Sequence, residues 1–473
     1  MCVMRFLACV LLGTLMSAAA LAAEGPAPDI PVTGRENPDL AGFDAMMLSV
    51  MKEHRPPGGA LAVARQGRLV YARGFGYADV EGRQPVRPES LFRIASLSKP
   101  ITAAAVLQLV ERGKLRLDQK AFPLLGLKPH LEKGAAYDPR LDTITLLDLL
   151  QHTGGWDTAK SPDPMFLSTK IAESLAARPP AEPPDIIRWV LGRPLDFTPG
   201  ERYAYSNFGY SVLGRVIEKV SGERYEAYVQ REVLGPLGIR DMRIGRTLED
   251  QRAEGEVKYY AARPSLATGC VGPTLGRKVP PAYGQWYQEA LDAHGGWIAS
   301  AVDLVRFAGA FDNRGKCPIL GAAGIDRMFA PPALAAKDGR RPDVYYGCGW
   351  NVRPIGSRGL NTWHAGRLGG CCATLLVRRY DGLCWAVLFN TDTDPAGKFL
   401  IEVVDPLVHQ AADAVKRWPD DDLFKAEAES VQGTIAAAAD LSGLGNYLRT
   451  VARPPPGVQI GHRAQPRAAV PQF

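Results

Sequence analysis

Hydrophobic positions along the chain fall into three regimes. "GGALAVARQGRLVYARGFGYAD" (58–79) reads as two strand-like runs around Gln66-Gly67, a hairpin signature. Directly after it, "RIASLSKPITAAAVLQLVERG" (93–113) carries Ile101, Ala103, Ala104, Ala105, Val106, Leu107, Leu109 and Val110 on nearly every face of a helix. That helix starts at Ser96 and stops before Gly113, and an all-round apolar surface puts it in the middle of a domain. From about 115 to 310 the periodicity is mostly helical, with Pro-rich interruptions at 179–184 and a Gly/Pro/aromatic stretch at 254–296. So long a segment inside a compact domain reads as a wall or lid over a site. Strand patterns return at "VYYGCGWNVRP", "GLNTWHAG" and "CATLLVRRYDGLCWAVLFN", the last a hairpin turning at Asp381-Gly382. "KFLIEVVDPLVHQAADAVKRW" then sets Phe399, Leu400, Val403, Val404, Leu407, Val408, Ala411, Ala412 and Val415 at helical spacing, enough to cover one face of a sheet.

This order predicts an α/β (α+β) fold: an antiparallel β-sheet flanked by helices, with a mostly helical domain inserted. The sheet part is expected at 43–95 and 300–418 and the helical part at 96–299, with no internal repeat. Residues 1–22 have the pattern of a signal peptide: Arg5, an apolar run from Phe6 to about Leu15, and Ala20-Leu21-Ala22. The run is shorter than the roughly 20 residues that span a bilayer. The expectation is a periplasmic or secreted protein with no membrane span after the leader is removed, a flexible lead-in at 23–42 and a weakly ordered tail at 419–473.

Composition narrows the classes. Among 473 residues, 46% are apolar and 22% charged, as in an ordinary globular protein. The net charge of +6 is spread without a Lys/Arg run, so no nucleic-acid partner is expected. Cys2 and Cys9 lie in the leader; Cys270, Cys317, Cys348, Cys371, Cys372 and Cys384 remain, open to disulfides or to free buried thiols. Neither Cys/His ligand spacing nor H-E-x-x-H occurs, so no metal or cofactor is expected.

The candidate chemistry begins at Ser96 and Lys99. A helix N-terminus offers free backbone N–H groups, and Lys99 at i+3 lies on the same face as Ser96. A buried ammonium is costly, so Lys99 either pairs with polar neighbours or loses its proton, and a neutral amine can take the serine proton. An isolated S-x-x-K is equally a cap beside a solvated charge. Two further stretches change this. "PGERYAYSNFGYSVLGRVIEKVSG" puts Tyr205 and Asn207 in a loop before a helix; beside cations Tyr205 can lower its phenol pKa and shuttle a proton, and Asn207 can orient a carbonyl and bond Lys99, or serve as a helix cap. "NTWHAGRLGG" puts His364, Ala365 and Gly366 on a strand whose small residues admit a substrate backbone, with the Arg367 N–H facing an oxyanion and His364 a polar or cationic partner for Tyr205. His152 and His294 read as structural.

In this order the three stretches resemble the serine β-lactamase and penicillin-recognising superfamily, in its class C-like branch with D-alanyl-D-alanine carboxypeptidases and serine esterases. The resemblance spans roughly 43–415 through Ser96-Leu97-Ser98-Lys99, Tyr205-Ser206-Asn207 and His364-Ala365-Gly366, with support at "LLQHTGGW", "GGWIASAVDLVRF" and "YDGLCWAVLFN". It implies Ser96 as the acylated nucleophile, Lys99 and Tyr205 as the proton-transfer pair, and Asn207, His364, Gly366 and Arg367 as substrate-binding residues. The N–H groups of Ser96 and Arg367 would form the oxyanion hole. The implied partner is a small molecule or peptide with an ester, amide or lactam carbonyl. His364 and Ala365 replace the lysine and threonine common in β-lactamases of this branch, so poor β-lactamase activity is expected. Two competing readings are a non-catalytic cell-wall or ligand-binding module on the same fold, and a Ser/His/Asp enzyme using His364 as base.

Overall fold

The computed structural model describes residues 29–334 and 343–425. The expected leader 1–22, the lead-in up to residue 28 and the tail from 426 lie outside the described residues.

The main elements are α1 (Ala41–His54), β1 (Gly58–Arg65), β2 (Arg68–Asp79), α2 (Ser98–Glu111), α3 (Asn207–Ser221), α4 (Ala301–Gly309), β3 (Asn351–Pro354), β4 (Leu360–Leu368), β5 (Cys372–Arg378), β6 (Leu383–Phe389) and α5 (Leu400–Ala414). The central sheet runs Val32–Thr33, β2, β1, β6, β5, β4, β3, Tyr345–Tyr346, with Gln84–Pro85 added beside β2. All of its pairings are antiparallel. Two distant hairpins meet in its middle, where Ala62 of β1 faces Ala386 of β6. Both hairpins were legible from two-residue turn signals, since Gln66-Gly67 and Asp381-Gly382 stand between the paired strands.

The side-chain period of two divides the sheet into faces. Leu61, Val63, Leu375, Val377, Trp385 and Val387 point toward α1 and α5, where Phe43, Met47, Val404 and Val408 complete one core. Ala60, Ala62, Ala64, Leu376, Ala386 and Leu388 point the other way, into the core shared with α2 and α4. Alanines on this face let helices approach the sheet closely. Every residue of α2 from Ser98 to Leu109 is buried, as its uniform hydrophobicity requires.

The middle of the chain is less regular than its periodicity predicts. It is built from short helices and 3-10 turns, with a three-stranded sheet of Phe92–Arg93, Trp297–Ala299 and Arg243–Ile244 and a hairpin of Ala267–Thr268 with Lys278–Val279. Frequent Gly and Pro break what would otherwise be longer helices. The 254–296 stretch is a packed wall rather than a loose lid, with Val257, Tyr259, Ala282, Tyr283, Trp286 and Leu291 buried. The six described cysteines are all free thiols.

Arg93 ties this wall to the segment leading into α2. Its fully buried guanidinium donates to the Arg246 carbonyl at 2.6 Å and to the Ala282 carbonyl. It lies 3.6 Å from Glu256 and 4.7 Å from the Tyr259 ring centre. Removing it leaves a buried carboxylate without its cation, so Arg93→Leu is expected to cost about 3–5 kcal/mol of unfolding free energy, read by urea denaturation.

Candidate active site

The turn that presents Ser96 is strained and braced. Ala95 adopts φ +48°, a left-handed conformation uncommon outside glycine, and Ser96 follows in the 3-10 turn Ala95–Leu97 that leads into α2 at Ser98. The regular helix therefore starts two residues later than expected. The Ile94 N–H donates to the Trp297 carbonyl at 3.0 Å, and Thr374 Oγ1 donates to the Ile94 carbonyl at 2.9 Å. Ser98 Oγ donates to the Ala95 carbonyl at 2.8 Å. Among buried neighbours Ser96 stays half-buried.

Lys99 is wholly buried one turn below. Its Nζ lies 3.1 Å from Ser96 Oγ, 2.7 Å from Asn207 Oδ1 and 2.9 Å from the His294 carbonyl oxygen. The ring centres of Tyr205 and Tyr210 are 4.7 and 5.8 Å away. Burial holds its pKa well below the ordinary 10.5, and the Asp163 carboxylate pulls the other way.

The Pro199-Gly200 turn, with Gly200 at φ +80°, directs the chain to Tyr205, whose hydroxyl donates to Ser96 Oγ at 2.8 Å. Burial raises this phenol's pKa, with the Ser96 hydrogen bond opposing, so the expectation of a lowered phenol is overturned. Lys99 lies against the ring, while Tyr203 and Asp163 add to the rise caused by desolvation. The N-cap of α3 is Ser206, which accepts the Gly209 N–H at 3.2 Å. Asn207 is thus released from capping, and its amide spans Lys99 on one side and Asp163 Oδ2, at 2.7 Å, on the other.

The third stretch lies on β4. Gly366 abuts the serine turn: a Cβ there would stand 2.6 Å from the Ile94 carbonyl oxygen, 2.3 Å from Thr374 Oγ1 and 3.1 Å from the Ser96 nitrogen. Asn351 Nδ2 of β3 donates to the Trp363 carbonyl at 3.4 Å, so alternate residues Trp363, Ala365 and Arg367 turn their backbone groups to that side. Strand β3 pairs with β4 only as far as Trp363, which leaves the Arg367 N–H beyond its end. The Arg367 side chain donates to Asp392 at 2.9 Å and packs on Phe399.

His364 is buried and bonds Tyr346 and its own strand, and of the polar and cationic alternatives only the polar one fits. Its Nδ1–H donates to the Ala365 carbonyl at 2.7 Å, which leaves Nε2 to accept from the Tyr346 hydroxyl at 2.9 Å. Burial, helped by the Lys99 charge, brings its pKa down to about 3, so it is neutral at pH 7 and no cationic partner for Tyr205, whose ring centre is 6.4 Å away. His152 accepts the Ser206 N–H at Nδ1 (3.2 Å) and packs against Tyr205 and Tyr346, holding the Tyr205 loop.

Sequence reasoning missed Asp163 and Tyr346. Asp163 carries a readable local signal, a capping carboxylate before Pro164, but its approach to Asn207 is tertiary. Tyr346 has none, because its pairing with His364 depends on how distant strands align. Assembled, the site offers a hydroxyl between an amine and a phenol at a helix N-terminus, with backbone N–H groups beside it, a constellation suited to attack on a carbonyl.

Residues 43–406 match the family described as Beta-lactamase. Over 308 residues the chain is 36% identical to esterase EstB of Burkholderia gladioli, covering 64% of this chain and 72% of that protein. Over 340 residues it is 26% identical to penicillin-binding protein 4* of Bacillus subtilis strain 168, covering 71% and 68%. The octameric penicillin-binding protein homologue from Pyrococcus abyssi superposes with a TM-score of 0.59 at 25% identity, over 78% of each chain.

The close approach of Gly366 generates a test. Gly366→Ala is expected to push β4 off the serine turn and slow modification of Ser96 by a fluorophosphonate on the order of 100-fold, measured by intact mass against time.

Proposed function

The chain belongs to the beta-lactamase family and is a serine hydrolase, and on that premise we propose that it acts through an acyl-enzyme on Ser96, with neutral carboxylic esters as its preferred substrates. Ser96 Oγ attacks the substrate carbonyl and its proton passes to Lys99. The tetrahedral oxyanion is held by the backbone N–H groups of Ser96 and Arg367, the alcohol leaves with a proton relayed through Tyr205, and water then releases the acid.

Hydrogen-bond direction supports Lys99 as the base. The Asn207 Oδ1 and the His294 carbonyl can only accept, so two amine hydrogens stay on them and the lone pair of a neutral Lys99 faces Ser96 Oγ. Burial favours the neutral amine and disfavours a Tyr205 phenolate, so Tyr205 stays protonated as a relay.

The observation that carries the substrate class is the neutral His364 tied to Tyr346, followed by Ala365 without a hydroxyl. A carboxylate on the substrate would meet no buried cation there. The name of the Burkholderia gladioli relative, an esterase, agrees with this reading. A second reading, cleavage of peptides ending in a carboxylate, is favoured by the half-exposed Arg367 guanidinium at the mouth.

Fluorophosphonate labelling is expected to map to Ser96, and penicillin pretreatment to leave it largely intact. Blockage by penicillin would favour the peptide reading, and no label at Ser96 would favour a non-catalytic binding module. On a p-nitrophenyl ester, Lys99→Met is expected to lower kcat by roughly 10⁴ and Tyr205→Phe by about 10², with His364→Ala within about tenfold of the parent. A severe His364→Ala with a mild Tyr205→Phe would instead mark a Ser/His/Asp enzyme. Because the base must be unprotonated, kcat/KM rises with pH through the Lys99 pKa, so the acid limb is expected well below 10.5.

A further inference from the structure

We propose that Asp163 is a positioning residue that aims the lone pair of Lys99 at Ser96 by fixing the orientation of the Asn207 amide. The inference rests on the reading of Lys99 as the base.

Asp163 spends both carboxylate oxygens as acceptors. Oδ1 takes the Met165 N–H at 3.0 Å, capping the turn Pro164–Phe166, and Oδ2 takes Asn207 Nδ2 at 2.7 Å. With both oxygens accepting, this carboxylate offers no hydrogen to Asn207, which faces it with its NH₂ group. The opposite end of the same amide, Oδ1, is thereby turned to Lys99 Nζ at 2.7 Å. Were the amide reversed, its NH₂ would point at the amine and compete with Ser96 for the lone pair. The His294 carbonyl already holds one amine hydrogen, so Asn207 decides whether the lone pair reaches Ser96 or is taken up within the scaffold.

Electrostatics runs through the same contact. Tyr205, Tyr210, His152, His294 and His364 surround Lys99, each held in its neutral form by burial. Asp163 is the carboxylate whose charge acts on the amine. Burial raises the Asp163 pKa, while the Asn207 and Met165 donors and the Lys99 charge oppose that rise.

Asp163→Asn separates this role from turn capping, because asparagine caps as well as aspartate does. With its carbonyl on the Met165 N–H, the new NH₂ faces Asn207 and demands an acceptor, which reverses the Asn207 amide. The swap Asp163→Asn with Asn207→Asp restores an acceptor toward both partners and brings a negative charge next to Lys99.

The test is the pH profile of fluorophosphonate labelling at Ser96, with thermal melting in parallel. Asp163→Asn is expected to melt like the parent, label on the order of 10- to 100-fold more slowly at its optimum, and show an acid limb at lower pH. The swap is expected to recover at least part of the rate with the acid limb at higher pH than the parent's. An Asp163→Asn profile superimposable on the parent's, or a folded swap with no recovery, would overturn the role of Asp163. A parent chain that takes no label at Ser96 would instead overturn the nucleophile reading beneath it.

Discussion

A buried amine whose hydrogen-bond partners are two obligate acceptors and one hydroxyl is the constraint on which the rest of the site depends. An ammonium in that environment carries a large desolvation cost. Lys99 meets it with three contacts and the π-faces of two tyrosines, and by favouring its neutral form. Three separate parts of the chain supply those contacts: α2 and the turn before it, the N-terminus of α3, and the segment at His294. The helix packing that buries α2 also favours a neutral amine beside Ser96.

The surroundings then serve to hold distances. Ala95 in its left-handed conformation would relax if free, and hydrogen bonds to Trp297, Thr374 and Ser98 over-determine it. Gly366 lets β4 lie against that turn with no room for a side chain, and Arg93 anchors the 254–296 wall behind it. His364 and Tyr346 close the far side as a hydrogen-bonded pair.

The sequence made visible what is local. The two hairpins, the all-apolar helix, Gly200 after Pro199, and the motifs around Ser96, Tyr205 and His364 are each written in a few consecutive residues, and the order of motifs was enough to place the family and the sheet with its inserted region. Burial was not written there. The direction of the Tyr205 shift, the neutrality of His364 and its bond to Tyr346 depend on which distant surfaces exclude water. Asp163 reads as a cap, and nothing near it names Asn207, 44 residues on. The cysteine count left bonding open because it says nothing about distances, and the six described thiols are unpaired.

The protonation state of Lys99 bears most directly on the account. Selective ¹³C labelling of lysine Cε, with Lys99 assigned by the spectrum of Lys99→Arg, would follow this one amine through a pH titration of the folded protein. A midpoint well below the ordinary 10.5 is expected, with the amine largely neutral where Ser96 reacts. A midpoint at or above 10.5 would contradict it, leaving Lys99 a fixed cation and requiring another base for Ser96.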